Sequence, residues 1–145
     1  MPEASMFDKR IDTFGRLIEV RARLDRELGQ SLEESHDLSH TWFEVLLRIG
    51  RADEERLKMC DLANEIALTT GGVTRLVDRM VDAGYIQRVP SPSDRRVQFI
   101  ELTDTGRSLL EDACATHVGD LEDQMFSRLT QSEAEQLDAL LEKLR

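Results

Sequence analysis

A chain of 145 residues, 40% of them hydrophobic and regularly spaced, can bury one good core, and no interval has the composition of an interdomain linker. No apolar run approaches the roughly 18 residues of a membrane helix. The start, Met1-Pro-Glu-Ala-Ser-Met-Phe-Asp-Lys-Arg, has neither a signal-peptide core nor Arg-rich transit character, so a cytoplasmic protein without a membrane partner is expected. The net charge of −10 weighs against a polyanionic partner only as a sum: from Leu57 to Arg107 seven bases balance seven acids, and the excess acid lies in the flanks.

Phe7, Ile11, Phe14, Leu17, Ile18, Leu24, Leu28 and Leu32 recur at helical spacing and predict a long amphipathic helix, ended by the polar Ser35-His36-Asp37. Ser39 or Thr41 starts the next helix, Thr41 with Glu44 as a candidate capping box, and it runs to about Gly50. Arg51 to Arg56 is too polar to bury. Leu57 opens a short extended piece ahead of a helix from Lys58 to Ala67, and Leu68-Thr69-Thr70 forms a tight connection. A helix from Gly71 to Ala83 follows, closed by Gly84, which takes a left-handed C-terminal conformation at low steric cost. Tyr85 to Val89 and Val97 to Leu102 alternate around the turn-rich Pro90-Ser-Pro-Ser-Asp and predict a hairpin. Thr103 or Thr105 then caps a long helix carrying Leu110, Ala113, Cys114, His117, Val118 and Leu121, broken near Leu129. Thr130 and Glu133 read as the capping box of a last helix bearing Leu137, Leu140, Leu141 and Leu144.

In the helix from Gly71, steps of about 100° put Val73, Leu76, Val77 and Met80 on one side. Gly71, Arg75, Asp78 and Asp82 point the other way, flanked by Thr74 and Arg79. Met59, Leu62, Ala63 and Ile66 give the preceding helix a packing face, and small Ala63 and Ala67 allow close approach, which is helix-turn-helix logic. Arginine can donate two hydrogen bonds to guanine O6 and N7 in a major groove, so Arg75, and second to it Arg79, are the candidate base readers. Thr69, Thr70 and Thr74 suit phosphate or a thymine methyl, and Gly71 and Gly72 leave room for a phosphate backbone. Arg88, Arg95 and Arg96 surround a proline-stiffened hairpin tip suited to a minor groove or its phosphates, as in a DNA-binding wing.

Leu62-Ala63, Gly72-Val73-Thr74-Arg75-Leu76-Val77-Asp78-Arg79-Met80, Gly84-Tyr85-Ile86, Asp94-Arg95-Arg96 and Leu102-Thr103-Asp104-Thr105-Gly106 resemble the MarR family of bacterial regulators, over nearly the whole chain. The most specific parts are the Asp-x-Arg of the wing, matched by Asp94 and Arg96, and the Leu-Thr-x-x-Gly behind it. The resemblance implies a mainly α fold with a small β-hairpin wing, one domain over 1–145. In it 57–106 form the winged helix-turn-helix, and 7–50 and 105–145 form the dimerisation helices and their support. It implies a homodimer on double-stranded DNA. It also implies a repressor released from a pseudo-palindromic operator by a small aromatic or lipophilic effector, or by cysteine oxidation. In the family pattern Asp78 pairs with Arg96 to hold the wing, with Asp94 in support, leaving Arg95 freer to reach DNA.

The family's pocket would lie near Trp42, with Arg16, His40 and His117 as polar candidates, although Trp42 and Phe43 equally suit the core. His36, His40 and His117 would bind zinc only if they converged, and the turn-like Ser35 to Ser39 gives no reason for His36 and His40 to share a helix face, so no metal or cofactor is expected. Cys60 is expected in the core and Cys114 in the helical bundle, neither beside a base that would activate it, and the first helix lacks the cysteine of the family's peroxide-sensing branch. No nucleophile with a base, carboxylate pair or phosphate loop points to an enzyme. The competing reading is a winged-helix protein-interaction module without DNA binding, favoured by the acidic composition and opposed by arginines on both recognition helix and wing.

Overall fold

The structure, a computed structural model, describes residues 5–66 and 70–145. Helix α1 (Lys9–His36) starts at Asp8, whose carboxylate accepts the Arg10 N–H at 2.8 Å, and stops at Asp37 in a left-handed conformation, φ 51°. Only its C-terminal half reaches the core, through Leu28 and Leu32; Phe7, Ile11, Phe14, Leu17 and Ile18 stay exposed. Helix α2 (His40–Arg51) is capped by Ser39, whose hydroxyl accepts the Trp42 N–H at 3.2 Å. Of the two expected starts, Ser39 and Thr41, the structure takes Ser39 in place of Thr41 with Glu44, because the turn at Asp37 leaves Ser39 extended immediately ahead of the first helical residue. Phe43, Val45, Leu46 and Ile49 anchor α2 in the core.

Helix α3 (Met59–Glu65) buries Leu62, and helix α4 (Thr70–Asp82) buries Val73, Leu76, Val77 and Met80, each 3% exposed or less. Burial worth about 1.5–3 kcal/mol per side chain outweighs the roughly 1 kcal/mol that each of Gly71 and Gly72 costs in helix propensity. Residues 67–69, with the predicted connection and Thr69, and the side chain of Thr70 lie outside the described residues.

Strands β1 (Arg56–Lys58), β2 (Ile86–Pro90) and β3 (Gln98–Leu102) form an antiparallel sheet in the order β1-β3-β2. The predicted hairpin therefore gains a third strand, Leu57 pairing opposite Ile100 on one side of β3 and Arg88 opposite Ile100 on the other. Helix α5 (Asp104–Gln124) packs along α1 and α2. Its start is welded to the end of α4: Thr103 donates its hydroxyl to the Gly84 carbonyl at 2.5 Å and its N–H to the Tyr85 carbonyl at 3.1 Å, and accepts from the Gly106 N–H at 3.0 Å. A Cβ on Gly106 would lie 1.9 Å from the Tyr85 oxygen, which gives the Leu-Thr-x-x-Gly sequence its physical reason. Gly84 itself sits at φ 82°. Beyond a 3₁₀ turn at Phe126–Arg128, helix α6 (Gln131–Leu144) begins with the Thr130–Glu133 capping box and buries none of its residues within one chain. Among the described residues no helix is long and apolar enough to cross a membrane.

Candidate nucleic-acid interface

Because Val73, Leu76, Val77 and Met80 point into the core, α4 turns Thr74, Arg75, Asp78 and Arg79 to solvent. Gly71 opens onto empty space, with nothing within 4 Å of where a Cβ would stand. The wing lies beside this face: Lys58 of β1, Cys60 and Asn64 of α3, Thr74 of α4, and Arg95 and Arg96 of the wing line one groove of about 510 Å³. Recognition-helix and wing residues thus share one surface that collects cations although the chain as a whole is acidic. Arg75, Arg79 and Arg95 have no ion-pair partner among the described residues.

The hairpin tip is closed by the Ser91 N–H on the Val97 carbonyl at 2.9 Å and the Val97 N–H on the Asp94 carbonyl at 3.0 Å. Asp94 caps this turn, accepting the Arg96 N–H at 3.0 Å and its Nε at 3.2 Å. The backbone bond and then the guanidinium hold the Asp94 carboxyl below the usual carboxylate range. Arg96 is 91% exposed along its side chain, and Asp94 is its ion-pair partner. Asp78 is paired instead with Arg88 of β2, which corrects the expected Asp78–Arg96 bridge. The reason is local: Asp94 captures Arg96 inside its own turn, whereas Arg88 shares the strand face of the fully buried Ile86 and so points toward the helices. That period-2 relation between Ile86 and Arg88 was the sequence signal for this contact. The bidentate Arg107–Glu55 pair, tying the start of α5 to the turn ahead of β1, had no such signal; it holds the Glu55 carboxyl down.

The four pocket candidates do not form one site. Trp42 meets Tyr85 edge to face at 6.1 Å and, with Ser39, Gly72, Arg75, Leu76 and Arg79, lines a cleft of about 740 Å³ between the start of α2 and α4. His40 and His117 lie elsewhere, their rings 6.2 Å apart between α2 and α5, with the His117 ring 4.7 Å from Phe43. Burial, and then the neighbouring His40, lowers the pKa of His117, and its Nδ1 is buried without a partner among the described residues. Arg16 is exposed on α1. His36 hydrogen-bonds Thr116 at 2.7 Å. Cys60, expected in the core, is exposed: Met59, Leu62, Ala63 and Ile66 supply the packing side of the short α3 and turn Cys60 outward. Cys114 is half-buried, and burial pushes its thiol up.

A core-anchored helix presenting arginines beside a cationic β-hairpin defines a winged helix-turn-helix protein. Residues 36–97 match the model of the MarR family. The chain is 32% identical over 146 residues to the multiple antibiotic resistance protein MarR of Escherichia coli (strain K12), with 99% of each chain covered. It is 29% identical over 132 residues to the HTH-type transcriptional regulator MhqR of Bacillus subtilis (strain 168), with 89% of each covered. Among solved structures, a mutant MarR from E. coli complexed with operator DNA superposes with a TM-score of 0.80 at 30% identity, over 97% of this chain and 99% of that one. Sco3205, a MarR family regulator from Streptomyces coelicolor in complex with DNA, superposes at 0.85 with 25% identity, over 97% and 91%. The chain belongs to the MarR family of transcriptional regulators.

Proposed function

We propose that this protein is a repressor that binds a pseudo-palindromic operator as a symmetric homodimer, placing one α4 in each of two successive major grooves. The observation that carries this reading is Arg75 and Arg79 on the outward face of α4, without an ion-pair partner among the described residues, beside a groove holding Arg95 and Arg96 of the wing. Arg75 reads a guanine, Arg79 reads or supports it, and Thr69, Thr70, Gly72 and Thr74 approach the phosphates flanking the helix start. Arg95 and Arg96 take the adjoining phosphates or minor groove. A protein-interaction module would have no evident use for exposed arginines on both elements.

Dimerisation is supported by two exposed apolar stripes: Phe7 just ahead of α1 with Ile11, Phe14 and Ile18 on it, 53–78% exposed, and Leu140, Leu141 and Leu144 on α6, 44–78% exposed. Side chains this large and this regularly spaced gain about 25 cal/mol for each Å² removed from water, and a second copy offers the matching surface. Residues 7–50 and 105–145 accordingly form the dimerisation region and 57–106 the DNA-binding lobe. An effector fits the cleft lined by Trp42 and Leu76: an apolar floor under Arg75 and Arg79 favours a small aromatic or lipophilic molecule, which would obstruct the face that meets DNA.

The reading is tested by fluorescence anisotropy of the protein with a labelled duplex from its own upstream region and with a scrambled duplex, at two salt concentrations. Tight, salt-sensitive binding to the first alone is expected. Equal weak binding to both would return weight to the docking-module reading.

A further inference from the structure

We infer that His117 and His40 make the joint between α2 and α5 acid-sensitive: a proton taken up by the His117 ring loosens the start of α2 from α5 and thereby weakens DNA binding. The consequence for DNA rests on the reading above. The chain has three histidines, and all three lie where α1 and α2 meet the C-terminal half of α5. His36, in the last turn of α1, bonds the Thr116 hydroxyl, and the next residue, His117, packs its ring against Phe43 and His40 of α2. Phe43 is 2% exposed, so one side of the His117 ring is core. The His117 Nδ1 and one carboxylate oxygen of Asp120, three residues on, are both buried without a hydrogen-bond partner among the described residues. Helix α2 supplies His40 and Glu44, 3.4 Å apart, and α5 supplies Asp120. Helix α1 brings Arg21 and Asp25, bound to each other, to the hollow beside His40. Burial, then the second imidazole, outweigh the Asp120 and Glu44 carboxylates, so the assembled joint favours a neutral His117. A charged His117 is relieved by water, and α1 already closes on His40, where a Cβ on Gly29 would lie 3.6 Å from the His40 Cβ. Water therefore enters by moving the start of α2 away from α5. Two residues beyond His40, Trp42 meets Tyr85 and shares a cleft with Arg75 and Arg79, so that movement reaches the recognition helix.

Trp42 is the chain's one tryptophan, so its emission reports the start of α2 in the free, full-length protein. Emission, far-UV circular dichroism and anisotropy with the labelled upstream duplex are followed from about pH 8 to about pH 5 at constant ionic strength, the range in which a histidine changes charge. In the wild type, Trp42 emission titrates with a midpoint below the ordinary histidine value of about 6.5 while the helical signal holds. Affinity falls about fivefold or more over the same interval, the low end of coupling between sites. The sign follows from linkage: with the folded value lowered, the closed joint is fully favoured above the ordinary value and is lost as pH falls through the lowered one. His117→Gln abolishes both transitions, and its affinity holds or rises in acid, because added positive charge favours phosphate. Asp120→Asn keeps the ring but removes a carboxylate that favours its charged form, so both midpoints move further down. A wild-type Trp42 signal that does not titrate, or titrates only with loss of helix, overturns the inference. So does a transition that survives in His117→Gln, a midpoint that stays put in Asp120→Asn, or wild-type affinity that holds through the Trp42 transition. A wild type that binds no duplex specifically at any pH instead overturns the DNA-binding reading, and the Trp42 titration still decides whether the joint opens.

Discussion

Replacing Gly106 by alanine tests whether the joint between the DNA-binding lobe and α5 is as tight as its geometry indicates. The added Cβ would stand 1.9 Å from the Tyr85 oxygen, 2.8 Å from its carbonyl carbon and 3.1 Å from its Cα, all main-chain atoms that cannot rotate away. Relief means moving the Tyr85 carbonyl, which accepts from Thr103, and with it the Thr103 hydroxyl bond to Gly84. Overpacking costs about 1–3 kcal/mol and each weakened hydrogen bond about 1 kcal/mol, while alanine regains at most about 1 kcal/mol of helix propensity. The net expectation is a loss of about 2–4 kcal/mol in urea unfolding at constant protein concentration. Gly71→Ala, which meets nothing within 4 Å, is the control and should be neutral or slightly stabilising. A Gly106→Ala protein within about 0.5 kcal/mol of wild type would refute the close approach.

Arg75→Ala should weaken operator binding by about 1–3 kcal/mol and relax preference at one base pair per half-site. Uniform weakening across sequences would reassign Arg75 to phosphate. Deleting the chain from Thr130 onward should shift sedimentation from dimer to monomer or aggregate, because Leu140, Leu141 and Leu144 have no cover within one chain; a stable DNA-binding monomer would contradict this. His117 is held below its unfolded value of about 6.5, so the unfolded chain binds the extra proton. Its contribution to stability is therefore complete above that value and is lost as pH falls through the folded value. His117→Gln should flatten this part of the acid limb of urea midpoint against pH, and an unchanged limb would place the titration elsewhere.

Where many residues vote together, the sequence was readable. The two-sided pattern of α4, the helix stop at Gly84, the hairpin and the Thr130–Glu133 capping box each follow from a local rule that the packed chain does not oppose. Contacts decided by one side chain among several equals were not readable. Ser39 and Thr41 are both good caps, and only the course of the chain after Asp37 chooses Ser39. The three residues of β1 are too few to show a period, so its pairing with β3 appears only in three dimensions. Cys60 lies among apolar neighbours in sequence, yet a helix of seven residues has one packing side, and Leu62 with Met59 takes it. The candidate interface divides the same way. The outward arginines of α4 follow from periodicity, whereas the exchange of Arg96 for Arg88 as partner of Asp78 depends on a tight turn that satisfies Arg96 internally. Trp42, His40 and His117 were grouped by their place near the start of α2 and within α5, but α2 sends Trp42 toward α4 and His40 toward α5.

Selection of bound duplexes from a random-sequence pool, read out by sequencing, tests the central claim most directly, because it asks about sequence reading and symmetry at once. The expected result is an inverted repeat whose half-site centres lie about 10–11 base pairs apart, one turn of the double helix, with a strongly preferred guanine in each half-site that Arg75→Ala no longer selects. Enrichment of a single unrepeated element, or of no sequence at all, would contradict a symmetric dimer reading DNA through α4.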